Sequence, residues 1–134
     1  MKIWGLTDRG TVREQNQDTF HQWVEDNTAA LLVCDGMGGA RAGNVASALA
    51  AQAFTEAIQH SDAQPEARLT AALAQANEQV YQRAHQDPDC RGMGTTLVAA
   101  LVEGNVAHII NVGDSRAYYL SQNGIRQITI DHSL

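Results

Sequence analysis

The sequence predicts an α+β domain, and three observations carry that assignment. Apolar runs of strand length fill the first and last thirds of the chain, two Ala-rich amphipathic helices lie between them, and the later strands come in pairs around short turn signals. Taken in order, residues 2–8 are expected as a short strand that breaks at Asp8-Arg9-Gly10. A polar loop, Arg13-Glu14-Gln15-Asn16-Gln17-Asp18, then leads into a second strand, Phe20-His21-Gln22-Trp23-Val24. Glu25-Asp26-Asn27 reads as a turn, and the continuous apolar residues 29–34 fit a strand covered on both faces.

Glycines 36, 38, 39 and 43 punctuate the passage into a helix expected from Asn44 to His60, with Val45, Leu49, Ala53, Phe54, Ala57 and Ile58 close to helical spacing. After a break from Ser61 to Pro65, a second helix spans about 66–86, with Leu69, Leu73, Ala76, Val80 and Ala84 on one side. The short connection predicts an antiparallel helix pair. Asp87-Pro88-Asp89 stops the second helix. Strands follow at 95–102 and 105–112 around Glu103-Gly104, and at 116–121 and 125–130 around Gln122-Asn123-Gly124. With no repeat, low-complexity stretch or linker, residues 1–134 read as one domain.

Composition narrows the function classes. Hydrophobic residues make up 44% and charged residues 18%, a globular profile rather than a disordered one. A net charge of −6 with nine Lys and Arg argues against sequence-independent nucleic-acid binding, which depends on neutralising phosphates. Acids that converge in space would instead suit divalent cations. The two cysteines, Cys34 and Cys90, have no metal-ligand spacing and make no disulfide framework, and the N-terminus lacks the long apolar stretch of a signal peptide. The expectation is a cytoplasmic protein with no membrane partner, since no run approaches the roughly 18 apolar residues of a span.

Three residues stand out chemically. Asp35, in Cys34-Asp35-Gly36-Met37-Gly38-Gly39, ends an apolar strand, and the exposed Gly36 carbonyl beside it suits a hard cation that seeks oxygen ligands. Asp-Gly is also an ordinary turn dipeptide. Asp114, in Asn111-Val112-Gly113-Asp114-Ser115-Arg116, ends another apolar strand and could converge on the same sheet edge, or could be a turn acid paired with Arg116. Arg13 carries a guanidinium fork matched to a phosphate oxyanion, although most lone arginines are solvated surface residues.

Six segments occur in order: Thr7-Asp8-Arg9-Gly10, Arg13 through Asp18, VCDGMGG, GMGTTLVAAL, NVGDSRAYYL and ITIDHS. Together they resemble the bacterial branch of the metal-dependent protein Ser/Thr phosphatases, the PPM or type 2C family, over essentially the whole chain. The resemblance implies the N-terminal part of an αββα sandwich, two antiparallel sheets flanked by helices with a metal site between the sheets at one end. It implies that Asp35 bridges two metals, that the Gly36 carbonyl binds one of them, and that Arg13 holds the substrate phosphate. Asp18 would support metal-bound water, and Asp114 would help hold an additional metal. Gly94-Thr95-Thr96 and Asp131-His132-Ser133 match positions near the site with lesser roles. The implied cofactors are two or three Mg²⁺ or Mn²⁺ ions, and the implied reaction is hydrolysis of phosphoserine or phosphothreonine in proteins. Metals about 3.5–4 Å apart acidify a water and neutralise the phosphoryl oxygens. Phosphorylated proteins, a Ser/Thr kinase among them, are the implied partners.

Two departures qualify the resemblance. Gln17 stands where many members carry a glutamate that binds metal through water, so that position should be weaker. The family's later half supplies two further aspartates, in Ser-Asp-Gly and Asp-Asn motifs; residues 1–134 contain no Ser-Asp-Gly, and their one Asp-Asn pair, Asp26-Asn27, belongs to the early turn. The chain is therefore expected to be truncated relative to the family, with weak metal affinity and little activity alone. It would leave a sheet uncovered and open to self-association. The competing reading is a non-catalytic module of the same fold that binds a phosphorylated partner through Arg13 or serves as an assembly surface.

Overall fold

The computed structural model describes residues 1–13 and 15–133; Glu14 of the polar loop and the terminal Leu134 lie outside the described residues. Seven strands and two long helices follow in the order β1 (Asp18–Glu25), β2 (Thr28–Met37), α1 (Ala40–Gln59), α2 (Pro65–Gln86), β3 (Gly94–Thr95), β4 (Leu97–Glu103), β5 (Val106–Val112), β6 (Tyr118–Ser121) and β7 (Gly124–Gln127). A single turn of 3-10 helix at Pro88–Cys90 separates α2 from β3. β1, β2, β4 and β5 form an antiparallel sheet in that order, with β3 pairing to the end of β2, while β6 and β7 form a separate hairpin. The expected α+β class with two antiparallel sheets is what the structure has.

Pleating divides the large sheet into two faces. Ala30, Leu32 and Cys34 of β2 join Leu97, Ala99 and Leu101 of β4 on one face and pack against Ala50, Ala51, Phe54 and Ile58 of α1. Leu69, Ala72 and Ala76 of α2 complete this core. The helices run antiparallel, as the short connection predicts. Arg68 near the start of α2 donates to the Ile58 carbonyl at the end of α1, while Val80 and Ala84 meet Ala42 and Ala46 at the other end. Small alanines let the helices lie close to the sheet.

Among the described residues, the opposite face carries no helix. The N-terminal segment crosses it instead, with Gly5 against the Phe20 ring, and a cleft of about 320 Å³ opens between Trp4, Leu6, Phe20, Leu31, Val33 and Ala117. Strand 29–34 is therefore covered on one face, not both, and Val33 is 44% exposed.

Other expectations need correction. Residues 2–8 form no strand, and Leu6 is 94% exposed. A strand exists through its ladder, and this segment has no ladder partner among the described residues. Helix α1 begins at Ala40, so Gly43 lies inside it rather than before it. A Cβ on Gly36 would run into the Gly43 carbonyl, and one on Gly43 would sit 2.6 Å from the Gln17 side-chain oxygen. Gly43 is a close-approach residue, and that requirement overrides its poor helix propensity. The β6–β7 hairpin is shorter than expected, because Ile128 to Ile130 leave the ladder.

Candidate active site

Register places the first pair of acids. In the β1–β2 ladder Asp18 lies directly opposite Asp35, with Phe20 opposite Val33 and Gln22 opposite Leu31. Both carboxylates therefore project from the helix-free face, at the end of the strands. Like charges directly opposite each other destabilise a sheet, so this pair runs against the local rule. The electrostatics agree. Partial burial and then the hydrogen-bonded, like-charged Asp18 push the Asp35 carboxyl above its ordinary value, the Arg13 guanidinium pulls it down, and Asp114 pushes it up again. Arg13 and Asp114, singled out from separate segments, thus both act on Asp35.

Backbone contacts fix where Asp35 points. The register on either side of the β3–β4 junction sets Thr96 opposite it on the flank away from Asp18. The Thr96 N–H donates to the Asp35 carbonyl at 2.9 Å, but the Asp35 N–H goes to the Thr96 hydroxyl at 2.9 Å. The ladder is interrupted there, and the Thr96 carbonyl accepts from the Thr95 hydroxyl. Next along β2, the Gly36 N–H donates to the Gln17 carbonyl at 3.0 Å.

Asp114 occupies the turn after β5. Its neighbour Ser115 shares a 2.6 Å hydrogen bond with the Thr96 hydroxyl, and Gly113, at φ +101°, packs against the Thr96 side chain. The alternative of an Asp114–Arg116 ion pair does not hold. Arg116 forks onto Asp131, with Nε 2.9 Å from Oδ1 and Nη2 2.6 Å from Oδ2. The His132 N–H donates to the Gly113 carbonyl, so the Asp131-His132-Ser133 segment braces the Asp114 turn. Gln17 turns its side chain toward Gly43 at the start of α1. Among the described residues, no three His, Cys, Asp or Glu side chains converge closely enough to hold an ion. Asp18 and Asp35 are together, and Asp114 acts on Asp35 from further away.

The cysteines take no part. Burial pushes the Cys34 thiol up to about 12, and burial together with Asp87 raises Cys90, so neither supplies a thiolate nucleophile. No helix among the described residues is long and apolar enough to cross a membrane. The residues that sequence reasoning underrated are Thr96 and Ser115. Their only sequence signal was membership of the GMGTT and NVGDSR segments.

A helix-backed antiparallel sheet whose open face carries paired acids, with an arginine acting on Asp35, is the arrangement expected for the type 2C phosphatase class. The protein phosphatase 2C family model matches residues 9–133, and the chain belongs to that family. The Serine/threonine phosphatase stp of Listeria welshimeri is 42% identical over 134 residues, covering 96% of this chain and 53% of that protein. The Serine/threonine protein phosphatase PstP of Mycobacterium tuberculosis is 38% identical over 129 residues, covering 93% of this chain and 24% of its own. Among solved structures, Stp1 from Staphylococcus aureus superposes with a TM-score of 0.87 at 38% identity, over 96% of this chain and 52% of that one. The catalytic domain of PstP in complex with two manganese ions gives a TM-score of 0.78 at 38% identity, over 92% and 53%. The chain spans about half the length of the Listeria relative.

Proposed function

We propose that this chain contributes Arg13, Asp18, Asp35, Gly36 and Asp114 to a Mg²⁺- or Mn²⁺-dependent hydrolase of phosphoserine and phosphothreonine in proteins. The observation that carries the reading is the Asp18–Asp35 pair, two carboxylates held directly opposite each other on an open sheet face. Arg13 offsets part of that charge, a divalent cation would offset the rest, and an all-oxygen donor set suits magnesium or manganese. When bound, divalent ions supply Lewis-acid stabilisation of the phosphoryl group and a water acidic enough to attack it.

The chain's own residues divide the remaining work. Asp35 and Asp18 present the anionic donors, the Gly36 carbonyl adds a neutral one, and Asp114 adds negative potential from the facing turn. Arg13, exposed and electrostatically coupled to Asp35, is suited to grip the phosphate oxygens of the substrate and orient phosphorus over the acids. Gln17 contributes its backbone carbonyl to Gly36 and brings no charge to the site. Two carboxylates and a distant third do not neutralise a pair of dications, so tight metal binding and turnover belong to the whole protein, and residues 1–134 alone should bind metal weakly. The exposed apolar face around Leu31 and Val33 is suited to a covering sheet, and a second copy of the chain could supply one. Phosphoproteins, a Ser/Thr kinase included, are the proposed partners, and the cytoplasm the proposed compartment.

The decisive test is manganese titration by calorimetry, with phosphopeptide hydrolysis in parallel, on the full-length protein and its Asp35→Ala variant. The reading expects metal affinity and hydrolysis to fall together by at least about a hundredfold, the scale of losing a charged ligand. Equal manganese affinity in the two proteins would overturn it. Metal-independent phosphopeptide binding that disappears in Arg13→Ala would favour the non-catalytic module instead.

A further inference from the structure

We infer that Thr96 is a positioning residue that ties the Asp35 strand end to the Asp114 turn, so that one buried hydroxyl sets the spacing of the two anionic loops; this rests on the metal reading of Asp35. Thr96 is almost wholly buried. Its hydroxyl accepts the Asp35 N–H at 2.9 Å and lies 2.6 Å from the Ser115 hydroxyl, one residue beyond Asp114. Its own N–H holds the Asp35 carbonyl, so both polar groups of the Asp35 main chain end on the same residue. Its methyl group packs against Gly113, where a Cβ would lie 2.7 Å away.

The placement matters because an ordinary ladder would not do this. A backbone carbonyl accepting the Asp35 N–H would hold the strand but could not reach across to the next loop. The hydroxyl does both, since it can accept one hydrogen bond and still exchange a second with Ser115. Without it, a part-buried N–H and a part-buried serine hydroxyl lose their shared partner, and Asp35 and Asp114 lose their common reference.

Thr96→Val keeps the side chain's shape and removes the hydroxyl; Thr96→Ser keeps the hydroxyl and removes the methyl. Ser115→Ala cuts only the link to the Asp114 turn. In the full-length protein, Thr96→Val is expected to raise the manganese half-saturation point about tenfold, equivalent to ~1.4 kcal/mol. Ser115→Ala should raise it by a smaller factor, and Thr96→Ser should stay within about twofold of the parent. In metal-free protein, the Asp35 amide should lose hydrogen-exchange protection in Thr96→Val and keep it in Ser115→Ala, a readout independent of turnover. A folded Thr96→Val with unchanged half-saturation would overturn the inference. If that variant does not fold, Ser115→Ala decides, and an unchanged half-saturation there overturns it. Asp35→Ala serves as the control. If it binds manganese normally, the metal reading fails. If it binds poorly while Thr96→Val binds normally, only the role of Thr96 fails.

Discussion

The two faces of the large sheet are built from the same strands and meet opposite fates. On the helix-covered face, Ala30, Leu32, Cys34, Leu97, Ala99 and Leu101 are all buried against α1. On the other, Val33 is half exposed, the N-terminal segment crosses without joining the ladder, and the β1–β2 pairing ends in Asp18 and Asp35. A period of two residues suffices to separate stability from chemistry, since each strand sends alternate side chains to each role. The difference predicts where the fold breaks. Phe54→Ala, which empties the middle of the helix-covered core, should cost about 3–5 kcal/mol in urea denaturation. Val33→Ala on the open face should cost only about 0.5 kcal/mol. If Val33→Ala proves as costly as a core truncation, the open face is covered in solution, and sedimentation of the parent should then show association.

The acids sharpen the comparison in the other direction, because here the open face is expected to lower stability. Burial and Asp18 raise the Asp35 carboxyl above its ordinary value, so over that window the folded chain holds more protons than the unfolded one. Metal-free stability should therefore fall as pH rises from the ordinary carboxyl value through the raised one, and remain lower above it. Asp35→Asn removes the repulsion with Asp18. In chelator, its thermal midpoint at neutral pH should exceed the parent's, and the slope of stability with pH should flatten. An asparagine variant less stable than the parent at neutral pH would mean that the pair is compensated within the fold.

The helices and the hairpins of the sheet were legible because their signals are local. Leu69, Leu73, Ala76, Val80 and Ala84 recur at helical spacing, and Glu103-Gly104 marks the turn from β4 into β5. What failed was whatever depended on a partner. Residues 2–8 have a strand's composition, yet no neighbour pairs with them, and Gly43 sits inside α1 because Gly36 and Gln17 press against it. Within the site, Asp35, Asp114 and Arg13 were recognisable from strand ends and ordered motifs. The Asp18–Asp35 register and the Thr96 hydroxyl were not, since a ladder's register and a side chain replacing a carbonyl are three-dimensional facts.

The smallest effect belongs to the Arg116–Asp131 fork. The guanidinium holds the Asp131 carboxyl below its ordinary value, so the pair's contribution is present above that ordinary value and is lost as pH falls through the lowered one. Both groups face water, and an exposed pair adds little to global stability. Asp131→Asn should therefore leave the thermal midpoint at neutral pH nearly unchanged. Its effect should be local: the His132 amide, bonded to the Gly113 carbonyl, and the Ile128 amide, bonded to Ala117, should exchange faster with solvent. Amides of the core strand β4 should keep their protection. If β4 loses protection as well, the brace behind the Asp114 turn carries strain into the helix-covered sheet, and the two faces are less independent than their burial implies.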